Sequence, residues 1–138
     1  MQIWKRNIDL KIINKHMKNT MADHLGIIIT KVSNNSLEGR MGVKNIVKQP
    51  YGILHGGASV ALAETLGSLG SNLCIETNQA TVGLEINANH IKSVKSGEVN
   101  GITNPIHLGR STHIWEIKLY NNSKLTCISR LTMAILNK

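Results

Sequence analysis

The sequence predicts an α+β domain in which an antiparallel sheet of five or six strands is set around one long helix. Two observations carry this. Runs with strand-like alternation flank a single Gly/Ala/Ser/Leu-rich stretch, residues 56–74, whose apolar residues recur at helical spacing. No repeat, low-complexity tract or Pro/Gly/Ser linker divides the 138 residues, so one domain spanning 1–138 is expected.

Taken in order, Asp9 to Lys18 places Leu10, Ile13 and Met17 at helical spacing behind Asp9 as a candidate N-cap, which reads as a short amphipathic helix on the outside. Leu25 to Val32 and Leu37 to Val43 read as two strands joined by a turn at Ser33-Asn34-Asn35-Ser36. After the long helix, Val82, Leu84, Ile86 and Ala88 share one parity, and His90 continues it. Strand character returns at Val99 to Ile102 and at His113 to Tyr120, where Trp115, Ile117 and Leu119 alternate with Glu116 and Lys118. A turn at Asn121-Asn122-Ser123 leads into a last strand, Leu125 to Leu136, and the two prolines, Pro50 and Pro105, are expected in loops. Strands gathered before and after one helix make an α+β order.

Composition narrows the function classes. Aromatics are 3% with no Phe, so the core must come from Ile, Leu, Val, Ala and Met, with small residues packed closely. Cys74 and Cys127 lie in no metal or redox spacing and read as reduced core thiols. No apolar leader opens the sequence and the weakly charged stretch 53–75 is interrupted by a glutamate, Gly and Ser, so a cytoplasmic protein that does not enter a membrane is expected. The net charge of +8 invites an anionic partner. Its lysines and arginines are scattered and aromatics are too few for base stacking, which argues against nucleic acid and for a small polyphosphate ligand.

On a helical wheel at about 100° per residue, Leu62, Leu66, Leu69 and Leu73 oppose Glu64, while Gly57, Ala61, Ser68 and Ser71 cluster around it. A solvated face would carry Lys, Arg or Gln; small residues there give the carboxylate close neighbours. Just before the helix, Gln49-Pro50-Tyr51-Gly52-Ile53-Leu54-His55-Gly56-Gly57 delivers glycines to the helix N-terminus, where free amides favour developing negative charge. That combination suits acyl transfer: amides for an oxyanion, Glu64 as nucleophile or base, and Ser68 one turn on to orient it or hold water.

The string from Gln49 through Ala58-Ser59-Val60-Ala61-Leu62-Ala63 to Glu64 resembles the hotdog-fold thioesterases of the phenylacetyl-CoA type, as do Gly83-Leu84-Glu85-Ile86-Asn87-Ala88-Asn89-His90 and Pro105-Ile106-His107-Leu108-Gly109-Arg110. Its menaquinone-biosynthesis and enterobactin-proofreading branches are the most similar. The resemblance implies a hotdog fold and hydrolysis of an aromatic acyl-CoA without cofactor or metal. It also implies a dimer with its active site at the subunit interface, and two dimers forming a homotetramer. Residue by residue, it implies Glu64 as nucleophile or general base, Gly56 as amide donor to the thioester oxygen, Gln49 and His55 around the carbonyl and leaving thiolate, and Ser68 placing water. Gly83, His90, Lys92, Ser93, His107, Leu108, Gly109, Arg110 and Ser111 would meet CoA. Lys92 stands where relatives often carry Arg, which keeps a charge for phosphate without bidentate geometry.

Two other classes are kept open. A non-catalytic hotdog module that senses or carries acyl-CoA would keep the CoA contacts without needing Glu64 among small residues. A hotdog dehydratase also uses a His and a carboxylate, yet His55-Gly56-Gly57 and Glu64 on one helix are unlike its arrangement.

Overall fold

The computed structural model describes residues Met1–Lys138. A short helix, α1 (Leu10–His16), is capped by Asp9, whose carboxylate accepts from the Lys11 amide at 2.8 Å. A one-turn helix, α2 (Met21–His24), precedes β1 (Ile28–Val32) and β2 (Leu37–Gly42). The long helix α3 (Gly56–Leu73) follows, then β3 (Gln79–His90), β4 (Glu98–Leu108), β5 (Thr112–Asn121) and β6 (Lys124–Asn137). All neighbours are antiparallel in the order β1-β2-β4-β5-β6-β3. The sheet wraps α3, which packs against β2 through β6; this is the hotdog arrangement.

The approach of α3 to the sheet depends on missing side chains. A Cβ on Gly70 would sit 2.8 Å from the Trp115 ring, and one on Gly67 would sit 2.6 Å from Leu131. From the sheet side, a Cβ on Gly101 would meet Leu66 at 2.6 Å. Trp115 is fully buried and stacks parallel on Trp4 with ring centroids 6.3 Å apart. Two tryptophans therefore join the aliphatic core that composition suggested.

Four local expectations are corrected. Leu25 belongs to the end of α2, so β1 begins only at Ile28. Pro105 is no loop residue: it lies inside β4 opposite Trp115. It is tolerated because β2 pairs β4 only as far as Thr103, leaving that side of the strand without a partner for the missing N–H. Leu84 does not share a face with Ile86, because a bulge between Gly83 and Glu85 shifts the parity; Val82 and Leu84 are 45% and 61% exposed on the edge strand. Ser71 does not cluster with Glu64 but is buried, its hydroxyl 2.7 Å from the donating Trp115 Nε1 and 3.2 Å from His113 Nδ1. It stands only about 20° from Glu64 on the wheel, but on the side where Gly67 and Gly70 are buried and β5 reaches the helix.

Gly70→Ala should destabilise the protein. Alanine improves helix propensity by about 1 kcal/mol, but forcing a methyl into a ring held by stacking and a hydrogen bond costs about 1–3 kcal/mol. Urea unfolding should show a lower midpoint at unchanged slope.

Candidate active site

Glu64 projects from the middle of α3 and is half-buried. Its carboxylate reaches over the β3 backbone at Gly83, where an added Cβ would lie 2.9 Å from Oε1. It joins none of the chain's ion pairs and no side-chain hydrogen bond. Instead it opens onto a cavity of about 550 Å³ between α1 and α3, where Thr65, Ser68, Leu69 and Asn72 line the helix side and Ile12, Ile13 and Met17 the other. That volume suits a small-molecule group. Leu69, expected in the core stripe, lines this cavity. Ser68 shares it, with its hydroxyl directed 3.7 Å from Met133 Sδ rather than to Glu64.

A second cavity, about 260 Å³, lies at the α3 N-terminus and brings together Gln49, Gly56, His90, Lys92 and Ser93. Pro50 starts the turn that shapes it: the Gly52 amide donates to the Gln49 carbonyl at 2.9 Å, and Gly52 itself takes φ +77°. The Gln49 side-chain oxygen accepts from the Tyr51 amide. His55 caps the helix, Nδ1 accepting from the Gly57 amide at 2.8 Å, and its ring faces away from this cavity toward Met21, Leu25 and Ile46. The Gly56 amide donates to nothing in the chain. His90 covers it closely, since a Cβ on Gly56 would sit 2.8 Å from Nε2.

The two halves do not meet within one chain. Gly56 and Glu64 are separated by eight helical residues, roughly 12 Å along the axis. Of the remaining expected CoA contacts, Gly83 lies beneath Glu64, and His107, Leu108, Gly109, Arg110 and Ser111 line neither cavity. Gly109 and Arg110 line a third, smaller cavity with Lys5, Glu76 and His113 near the α3 C-terminus. The His107 ring packs over Gly109, and the Ser111 carbonyl accepts from the Ile135 amide at 2.9 Å. Sheet register sets His113 across β6 from Gly83, whereas His90 lies at the other end of β3.

Sequence reasoning missed Arg6 and Asn72 as site residues. Arg6 Nη1 donates to Asn72 Oδ1 at 3.1 Å, and its other nitrogens donate to the carbonyls of Ile75, Glu76 and Gln79. Continuing the helical wheel two turns beyond Glu64 would have found Asn72; nothing local could have found Arg6.

Residues 51–128 match the family described as the thioesterase superfamily. The chain belongs to that superfamily. It is 46% identical over 135 residues to the 1,4-dihydroxy-2-naphthoyl-CoA hydrolase of Escherichia coli, covering 97% of this chain and 99% of that protein. It is equally 46% identical over 135 residues to the proofreading thioesterase EntH of Cronobacter sakazakii, covering 97% and 98%. The crystal structure of a thioesterase from Haemophilus influenzae superposes with a TM-score of 0.96 at 44% identity, covering 99% of this chain and 96% of that one. The chain is a thioester hydrolase.

In this thioesterase no helix is long and apolar enough to cross a membrane, and no group of three or more His, Cys, Asp or Glu stands where it could hold a metal ion. Both cysteines are buried; burial pushes the Cys74 thiol up to about 11 and raises that of Cys127, so neither offers a thiolate at neutral pH.

His113 is a buried titratable group, its ring beside the Ser71 hydroxyl. Burial first, then the positive charges of His107 and Lys5, hold its pKa below the ordinary 6.5. The unfolded chain takes up this proton more readily than the folded one, so stability should fall as pH drops from 6.5 toward the lowered value. The unfolding midpoint measured from pH 7.5 to 5 should fall, and fall less steeply in His113→Gln.

Proposed function

We propose that the protein hydrolyses an aromatic acyl-CoA to the free acid and CoA, using Glu64 at a site completed by a second copy of the chain. The observation that carries this reading is a half-buried carboxylate without a partner, opening onto an apolar-walled cavity large enough for an acyl group. The unpaired Gly56 amide, the natural oxyanion donor, lies in a separate cavity on the same chain. A second copy supplies the missing half if edge strands β3 pair, and β3 is long, exposed and carries Val82 and Leu84 outward. Two such dimers would form the homotetramer.

In this mechanism the thioester carbonyl sits between Glu64 of one copy and the Gly56 amide of the other. The carboxylate either attacks the carbonyl carbon, expelling the CoA thiolate and leaving an anhydride that water hydrolyses, or removes a proton from the attacking water. The amide and the positive end of α3 stabilise the oxyanion in both cases. Gln49 and His90 border the carbonyl, His55 fixes the helix start by capping it, and Ser68 lies within the acyl cavity to hold water. Lys92 and Ser93 on one side, and Gly83 with His107, Leu108, Gly109, Arg110 and Ser111 on the other, would follow the pantetheine and nucleotide. CoA esters and reduced thiols both suit the cytoplasm. The dihydroxynaphthoyl ester named for the Escherichia coli relative, an intermediate of menaquinone biosynthesis, is the first acyl group to try.

Glu64→Ala should lower turnover of aromatic acyl-CoA by roughly a hundredfold or more while CoA still binds. Release of free CoA, followed by thiol reagent, measures the first, and calorimetry the second. Turnover that survives the substitution would remove Glu64 from the chemistry, and a wild-type protein that binds acyl-CoA without releasing CoA would make it a carrier or sensor.

A further inference from the structure

At the far end of the Glu64 cavity the Asn72 amide is a donor held in place by a hydrogen-bonded neighbour, Arg6. We propose that Asn72, oriented by Arg6, is a specificity-determining residue that selects acyl groups carrying a hydrogen-bond-accepting oxygen at the end distant from the thioester. This rests on the reading of the Glu64 cavity as the acyl site.

A guanidinium has only donors, so the Asn72 atom 3.1 Å from Arg6 Nη1 is the amide oxygen. Its NH2 is therefore the group left over, and it has no acceptor in the chain. Arg6 cannot easily let go, because three more of its hydrogen bonds run to the carbonyls of Ile75, Glu76 and Gln79 at 2.9–3.3 Å. The amide orientation is thus set by the N-terminal segment, which is fixed to the C-terminal end of α3.

The other polar groups of the wall are either spent or unfixed: Asn7 and His16 also line it, but both are exposed and no side-chain hydrogen bond orients them. The Thr65 hydroxyl gives its proton to the Ala61 carbonyl at 2.7 Å, and Ser68 directs its hydroxyl to Met133. The opposite wall is held in place: Asn14 of α1 donates to the Ile29 carbonyl and accepts from the Ile29 amide, both at 2.9 Å, pinning α1 to the edge of β1. The cavity therefore has a defined depth. Glu64 and Asn72 are eight residues apart, about 12 Å along the axis. After about 3 Å of contact at each end, roughly 6 Å remain for the acyl group. That is the reach of one aromatic ring from its carbonyl carbon to an oxygen on the opposite ring carbon. A para-oxygenated benzoyl group therefore meets Asn72 better than a 1,4-dihydroxy-2-naphthoyl group, whose oxygens stand ortho and meta to the carbonyl.

The experiment uses two inert CoA thioethers of nearly equal size, 4-methoxyphenacyl-CoA and 4-ethylphenacyl-CoA, with calorimetric Kd measured for the full-length wild type, Asn72→Asp and Asn72→Leu. Asn72→Asp keeps the shape and the Arg6 contact but replaces the donor with an acceptor, and a methoxy oxygen cannot donate to it. Wild type should prefer the methoxy compound by about three- to tenfold, and both variants should lose that preference while binding the ethyl compound within about twofold of wild type. Equal weakening of both compounds would assign Asn72 a structural role only, and an unchanged preference would show that another group reads the oxygen; either overturns the inference, as would absence of a methoxy preference or of any binding in wild type. Hydrolysis of the corresponding benzoyl-CoA esters is followed in parallel. The predicted Kd pattern without hydrolysis would sink the thioesterase reading and leave Asn72 standing, whereas hydrolysis without the pattern would do the reverse.

Discussion

The close seating of α3 inside its sheet governs how everything around it is placed. Gly67 and Gly70 on the helix and Gly39 and Gly101 on the sheet leave no room for a Cβ, and Trp115, Leu131 and Leu66 fill the spaces they vacate. Because interiors are packed as densely as crystals, this seating leaves the helix little freedom to rotate or slide. It also determines which residues remain outside the seam. Glu64, Ser68 and Asn72 emerge on the uncovered side, where α1 and the N-terminal segment close over them to form the Glu64 cavity.

The same rigidity keeps the two groups of the proposed site apart within one chain. An α-helix cannot fold back on itself, so a carboxylate two turns into α3 and an amide at its start are held apart by the helix that positions both. A single chain can orient each group well but cannot bring them to one carbon atom. Antiparallel pairing of two copies would reverse one helix relative to the other and let each carboxylate meet the neighbour's amide, which gives dimerisation a chemical purpose beyond covering the β3 edge.

Much of the fold was legible because its strongest signals are local and periodic. Leu62, Leu66 and Leu73 of α3, the Asp9 cap and the alternation through Trp115, Ile117 and Leu119 all matched the structure. The turn before β6 was equally readable, with Asn122 and Ser123 at φ 49° and 63°. What escaped was decided by partners distant in sequence. Pro105 is tolerated in β4 only because β2 stops short, Leu84 changes face only because of a bulge against β6, and Ser71 turns inward only because Trp115 and His113 reach it. Glu64 and the Gly56 amide, the two groups of the proposed site, were singled out from the motif and the resemblance, but their separation became concrete only with the helix axis. The Arg6–Asn72 contact spans 66 positions in the chain and left no local trace.

If Glu64 of one copy serves the Gly56 amide of another, two chains that are inactive for different reasons should complement each other. Glu64→Ala loses the carboxylate, and Gly56→Val obstructs the amide by placing bulk where His90 already sits. Co-expressed, these chains should form mixed dimers containing one site with both native halves, and the population should recover about a quarter of wild-type turnover. If mixed dimers demonstrably form and turnover stays at the sum of the two parents, the carboxylate and the amide act within one chain or not together at all, and the account is wrong.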